Sequence, residues 1–380
     1  MTIGVPLLPG ELPVKGDLVM RDARGRSLEG STEVAARWPD GTVRWAWVHT
    51  AIRLDAGGRA LLKIRPRRTG REDSRSPWRK GSGGAWSWDD ELKVSPRAPE
   101  LLRLYGRPIH LEIESSEGGL ASESLSDRRI VRLRDTIERS ELAIDGRFPS
   151  VGLRYRAWLT SWSPFSYHQL RIFLFGDFEG AETASVRLRA LQGVHPILLR
   201  EIPPADRPRS VPPATQLELV PGPRTWPAGV GEHHRVLLGR PGGWTQSDLT
   251  EWPLVALPEP KRFGRVFTGE PGWRASKRSG ALAVSLGRLF SEMKSTVDWQ
   301  DRGDWRGYPG SYGNLEYDTS WGLLAHAVRS REAHHVRWAD RMLSHLDGVD
   351  LARHPPNGWP SGLPYRHGKG HRGPLELGHI

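Results

Sequence analysis

Cysteine is absent from this chain of 380 residues. That excludes disulfide cross-links, thiolate metal sites and a thiol nucleophile. Lysine is scarce: the chain has 55 basic residues, and only eight are Lys. No apolar run approaches the length of a membrane span, so no membrane partner is expected. The opening Met1–Pro6 lacks a basic stretch followed by an apolar one, so no signal peptide is visible. The chain as read is then cytoplasmic, and extracellular if its true start lies upstream. Basic helices, zinc-finger spacings and aromatic RNA-binding signatures are missing, and Arg is scattered along the whole length. Nucleic acid is therefore not an expected partner.

Gly (43) and Pro (31) are plentiful, and only 37% of residues are hydrophobic. Such a composition suits strands joined by many turns better than a helical bundle. The length implies two or three domains. The formal net charge is +11. A surface of that sign suits polyanions such as acidic polysaccharide, although Arg bias also follows from base composition alone. Trp numbers 17, against 7 Tyr and 8 Phe. An indole can stack on a sugar face, but a core role is commoner, and Trp45 and Trp47, two apart on one strand, are read as core.

Period-2 alternation marks Val43–His49, Ile109–Ile113, Leu153–Leu159, Leu170–Phe175 and Val186–Leu191 as strands. In Leu153–Leu159 the Leu, Tyr, Ala and Leu share one face. Arg at alternate positions marks a solvent or ligand face. Residues 67–90 show no period and read as a linker or surface loop. His233 and His234 fall in a turn-like stretch, and adjacent residues of a strand face apart, which argues against a shared metal there. Ala281–Met293 is ambiguous between strand and helix. Leu323–Val328 and Val336–Leu343 carry helical spacing, with Trp338, Met342 and His345 on one face and a short link at Ser330–Glu332, the pattern of a helical hairpin. The chain thus reads as multidomain and mainly β: a small β-barrel over 1–70, an antiparallel β-sandwich over 85–256 and a helical segment over 270–380.

Five segments carry a resemblance. Gly4-Val-Pro6 followed by Arg37-Trp-Pro-Asp-Gly-Thr-Val-Arg-Trp45 resembles the N-terminal barrel of exo-acting rhamnogalacturonan lyases and their bacterial relatives. Gly313-Asn-Leu-Glu-Tyr-Asp-Thr319, with His345-x-Asp347-x-x-Asp350, resembles the opening helices of their C-terminal α/α-toroid, and Arg171–Gly176 their central sandwich. The resemblance implies an N-terminal barrel of the RIFT type, a sandwich and a toroid truncated to its first hairpin. It also implies β-elimination on an acidic glycan such as rhamnogalacturonan. With the ring cut short, Leu323, Leu324, Val328, Trp338 and Met342 are expected to form a partly exposed apolar face. The sequence leaves the oligomeric state open.

Eight of the fourteen His fall between His326 and His379. Uronate elimination needs the carboxylate neutralised, the C5 proton removed and the leaving O4 protonated. Tyr365, Arg366, His367, Lys369 and His371 bring every such residue type into one Gly-bearing loop. His367 or His371 is the candidate base, Tyr365 the acid, and Arg366 or Asn314 the carboxylate partner. Glu316, Tyr317, His345 and Lys369 are candidates for substrate binding. No cofactor is required. Asp347, Asp350 and His354 have donors that suit Ca²⁺, and they equally suit a helix end bonded to backbone groups. Two other functions compete: a glycoside hydrolase on a similar toroid, and a noncatalytic carbohydrate-binding protein.

Overall fold

The computed structural model describes residues 2–50, 52, 60–67, 78–88, 91–135, 139–162, 167–177, 181–190, 195–198, 215–226, 229, 231–239, 257–265, 297–298, 304–308, 311–312, 319–346, 351–352 and 363–364. The chain divides into two compact units. One holds 1–172, 182–224 and 234–254, and the other 173–181, 225–233 and 255–380. Among the described residues no helix is long and apolar enough to cross a membrane.

Six strands open the first unit: β1 (Thr2–Pro6), β2 (Asp17–Arg21), β3 (Ser27–Leu28), β4 (Gly30–Arg37), β5 (Val43–Thr50) and β6 (Lys63–Arg67). They form two three-stranded antiparallel sheets, β1-β5-β4 and β3-β2-β6. Neither sheet closes into a barrel among the described residues. The core between them includes Val5, Leu7, Leu12, Met20, Ala46 and Val48. Leu18 N–H donates to Thr32 Oγ1 at 3.1 Å, tying β2 to β4.

The Arg37–Thr42 motif is the β4–β5 turn. Asp40 Oδ1 accepts from Thr42 N–H at 2.9 Å and from its hydroxyl at 2.6 Å. Gly41 supplies the left-handed φ of +82° that the turn requires. Trp38 Nε1–H reaches the Leu7 carbonyl at 3.1 Å. Trp45 and Trp47 do share a face, but not the core face. Ala46 and Val48 fill the core, so the two indoles lie half-buried on the other side, edge to face at 5.8 Å. Gly4, opposite Trp47, makes room for them: a Cβ there would come within 2.7 Å of the Trp45 ring.

Fourteen strands follow: β7 (Trp78–Lys80), β8 (Trp86–Trp88), β9 (Leu92–Val94), β10 (Leu102–Leu104), β11 (Arg107–Ser115), β12 (Arg129–Asp135), β13 (Arg139–Phe148), β14 (Leu153–Trp162), β15 (Tyr167–Gly176), β16 (Ala181–Ala190), β17 (His195–Leu198), β18 (Gln216–Val220), β19 (Arg224–Trp226) and β20 (Gly231–Gly239). They build the two antiparallel sheets of the sandwich. One runs β18-β16-β11-β10-β9-β8-β7, with β19 also on β16, and the other β12-β13-β14-β15-β20-β17. Leu153, Tyr155, Ala157 and Leu159 are all buried, as the alternation requires.

The loop reading of 67–90 is corrected. β7 and β8 lie within it and pair as a hairpin, with buried Trp78 and Trp88 in register and edge to face at 5.6 Å. Strands of three residues are too short to display a period, but two large rings in register bury enough surface to hold them. Residues 68–77 lie outside the described residues. His233 and His234 stand in β20, not in a turn, and they do face apart: His233 stacks on Phe173 at 4.5 Å, while His234 is buried.

Among its described residues the second unit holds a short helical turn α1 (Pro260–Phe263) and two longer helices, α2 (Thr319–Ser330) and α3 (Ala333–His345). α2 and α3 form the expected hairpin around buried Leu323, Ala339 and Met342, with Leu324 and Trp338 packed beside them. Arg331 closes the link at φ +63°, its N–H donating to the Ala327 carbonyl at 2.8 Å. The guanidinium donates to the Leu257 and Pro258 carbonyls at 3.4 and 2.7 Å. Of the partly exposed apolar face expected at Leu323, Leu324, Val328, Trp338 and Met342, only Leu324 and Trp338 are half-buried, and Leu323, Val328 and Met342 are buried. All three are at most 3% exposed, because the two helices and their surroundings cover that seam. Trp321 and Leu343 are exposed instead, at 42% and 43%. Among the described residues this segment also holds short strands. Val297–Asp298 pairs with Asp304–Tyr308, which pairs with Ser311–Tyr312, and Leu351–Ala352 pairs with Leu363–Pro364. Ala281–Met293 lies outside the described residues.

Candidate functional site

Of the residues singled out for chemistry, His345 is the last residue of α3, although its side chain is not described. Asn314, Glu316, Tyr317, Asp347, Asp350, His354, Tyr365, Arg366, His367, Lys369 and His371 lie outside the described residues. Among the described residues no group of three or more His, Asp or Glu is placed to hold a metal ion.

Within the first unit the geometry points elsewhere, to a cleft of about 340 Å³. Its walls are the tip of the β7–β8 hairpin, Gly81–Ala85, and the β9–β10 connection from Ser95 onwards. Gly83 and Gly84 take left-handed φ values of +65° and +80° at that tip. Trp86 lies beside it, half-buried. Lys80 Nζ is 5.9 Å and the Arg132 guanidinium 5.4 Å from its ring centroid, both within cation–π range.

The connection is held rigidly from behind. Arg128, whose side chain is fully buried, donates through one terminal nitrogen to the carbonyls of Ser95, Ala98 and Glu100, at 3.1, 2.5 and 2.8 Å. Its Nε donates to Glu123 Oε1 at 2.8 Å, its other terminal nitrogen pairs with Glu123 Oε2, and Tyr155 O–H donates to Glu123 Oε1 at 2.8 Å. Burial, the largest single effect, opposes the charge of Arg128, but the bond to Glu123 and the neighbouring Glu123 and Tyr155 groups together outweigh it and hold the guanidinium pKa above its usual value. Burial, with the Glu123 carboxylate next in effect, pushes the Tyr155 phenol well above its ordinary range. Gly146 leaves room for this knot: a Cβ there would stand 2.3 Å from the Tyr155 ring.

The outer face of the same sheet has two electrostatic halves. On β11, β16 and β18 the arginines meet acids across the strands: Arg189 and Glu112 at 3.2 Å, Arg187 and Glu114 at 3.3 Å, Arg187 and Glu218 at 3.8 Å. On β7 to β10 the register lines up Arg79, Ser87, Lys93 and Arg103 in one row. Lys93 and Arg103 stand directly opposite one another, a pairing that costs stability. Glu100 answers Arg103 from the connection, at 2.8 Å. Burial, the largest single effect, raises the Glu100 pKa, but the bond and charge of Arg103 together with a backbone bond and His110 leave it below the ordinary carboxylate value. Ser87, Lys93 and Arg103 all line the cleft.

The sequence reading passed over this place. A usable signal was present: Trp78 to Trp88 is a Trp-rich pair of short runs around Gly81-Ser-Gly-Gly84, a hairpin pattern. The basic row was hidden, because it exists only once the register of four strands is known.

Residues 1–63 match the family model described as the PcRGLX-like N-terminal RIFT barrel domain. No curated protein matches the chain. Among solved structures, an alpha-mannosidase from Enterococcus faecalis V583 is similar, with 9% identity and a TM-score of 0.32, over 67% of this chain. This chain spans 43% of the mannosidase's length.

Proposed function

We propose that the protein is carbohydrate-active and acts as a polysaccharide lyase on an acidic glycan such as rhamnogalacturonan. The observation that carries this reading is the match of residues 1–63 to the RIFT-barrel domain model. The segments Asn314–Asp318 and His345–Asp350, which resemble the toroid of the same lyases, support it, as does the net charge of +11. In the proposed reaction Arg366 or Asn314 neutralises the uronate carboxylate, which stabilises the charge developing as C5 loses its proton. His367 or His371 takes that proton, and Tyr365 protonates the departing O4. Glu316, Tyr317, His345 and Lys369 hold the sugar. The chemistry needs no cofactor. Asp347, Asp350 and His354 suit either a helix end bonded to backbone groups or Ca²⁺, and stability measured before and after EDTA tells the two apart.

Elimination leaves an unsaturated uronate, so ultraviolet absorbance on incubation with rhamnogalacturonan is the direct test. His367→Ala and His371→Ala should each slow its appearance, one of them by about a hundredfold or more. New reducing ends without absorbance would favour a glycoside hydrolase instead. Binding with no product would favour a noncatalytic carbohydrate-binding protein.

A further inference from the structure

We infer that the cleft between the β7–β8 hairpin and the β9–β10 connection is a binding site for the carboxylate of an acidic saccharide. It is separate in sequence from the residues proposed for catalysis. The choice of a saccharide over other anions rests on the carbohydrate reading above. The anionic charge of the ligand rests on the cleft alone.

Three observations converge. First, Lys93 stands directly opposite Arg103. Arg103 has an acid, Glu100 at 2.8 Å, and its other terminal nitrogen donates to the Gly106 carbonyl at 3.1 Å. Among the described residues Lys93 has no acid, while the other half of the same sheet pairs its arginines with Glu112, Glu114 and Glu218. A cation left beside another cation without an acid of its own marks a place where stability is given up for a task. Second, the row opens onto a cleft of about 340 Å³. That is within the range of small-molecule sites and large enough for a sugar residue. Third, the wall opposite the hairpin is preorganised, because Arg128 holds three of its carbonyls from within. A wall fixed before binding loses little entropy when ligand arrives.

The chemistry follows from these parts. Lys93 and Arg103 offer a carboxylate two cationic donors side by side. The Ser82 and Ser87 hydroxyls in the lining suit sugar hydroxyls. Glu100 holds Arg103 in place at 2.8 Å, which makes it a positioning residue.

Calorimetric titration of the full chain with tri-galacturonate tests this. Wild-type protein should bind. Lys93→Glu should weaken binding by about tenfold or more. Arg189→Glu, the same charge reversal on the acid-paired half, should leave affinity unchanged. Both side chains are exposed, so neither variant removes a buried contact. Equal losses in Lys93→Glu and Arg189→Glu would reduce the effect to net charge and overturn the site. So would no binding by the wild type. Equal affinity for a single-stranded DNA oligomer would overturn the saccharide class. The lyase reading fails separately, through absent unsaturated product, and a titration that discriminates Lys93 from Arg189 would stand regardless.

Discussion

The sandwich and the helical hairpin are stabilised by opposite means. In the sandwich, a buried ion pair joins segments distant in sequence: Arg128 binds Glu123, and through Ser95, Ala98 and Glu100 it reaches back some thirty residues. In the hairpin, a narrow apolar seam of Leu323, Ala339 and Met342 joins two helices separated by a two-residue link. Directional polar contacts fix one geometry but penalise any missing partner, because a stranded buried group bears its whole desolvation cost. An apolar seam is less particular and degrades in proportion to the volume lost. Mutations at the two places should therefore differ in size and in kind.

The sharpest way to break that comparison is Arg128→Ala. It strands the Glu123 carboxylate at a buried position and leaves three carbonyls without their donor, a loss of roughly 3–5 kcal/mol. Arg128→Lys should rescue little, since one ammonium cannot serve both the carboxylate and the connection. Chemical denaturation followed by tryptophan fluorescence measures both. A small change for Arg128→Ala would mean the knot is dispensable. Met342→Ala comes next, at about 2–4 kcal/mol, the range for emptying a fully buried long side chain. Its effect should be confined to the helices: amide exchange in α2 and α3 should rise while the β13–β14 amides stay protected. Equal loosening of both would erase the contrast.

How much of each region was legible follows from the same difference. Leu153-x-Tyr155-x-Ala157-x-Leu159 announces its strand, and the spacing of Leu323 to Val328 and Trp338 to Met342 announces the hairpin, because both patterns are local. The Glu123–Arg128–Tyr155 knot is silent in sequence. Tyr155 sits on the apolar face of its strand, but Glu123 and Arg128 look like ordinary surface residues until β14 is folded against the segment before β12. The half-buried positions of Trp45 and Trp47 were misjudged for a related reason: which face of a strand is the core depends on what lies across it, here Gly4 rather than a larger residue. For the candidate catalytic site, residue types could be named from the sequence, but their convergence depends on long-range placement that no local period encodes. The cleft was missed because no single segment contains it.

A third effect separates burial from pairing. His168 is buried, and its ring Nδ1 lies 2.7 Å from Ser161 Oγ. Burial pushes its pKa down to about 4. A histidine depressed in the fold binds its proton more readily when unfolded. Its contribution is therefore complete above the ordinary value of 6.5 and is lost as pH falls from there towards about 4. The span corresponds to up to roughly 3 kcal/mol. Stability measured against pH should fall across this window in the wild type and fall less in His168→Asn. Identical slopes would show that the ring does not titrate where its burial implies.

The smallest effect is the most discriminating, because the two halves of the eight-stranded sheet should respond with opposite signs. On the paired half, Arg189→Glu replaces an attraction to Glu112 with a repulsion and should destabilise by a few tenths to about 1 kcal/mol. On the basic half, Lys93→Glu places an acid opposite Arg103 and beside Ser87, which relieves the like-charge contact. It should leave stability unchanged or raise it by a few tenths of a kcal/mol. Both positions are exposed strand residues, so neither substitution opens a cavity or strands a buried group. Added salt should shrink both differences, since exposed charges are screened. A protein that gains stability while losing its saccharide would show that the row is kept at a cost to the fold. If Lys93→Glu destabilises as much as Arg189→Glu, the row is ordinary surface, and the electrostatic division of the sheet carries no meaning.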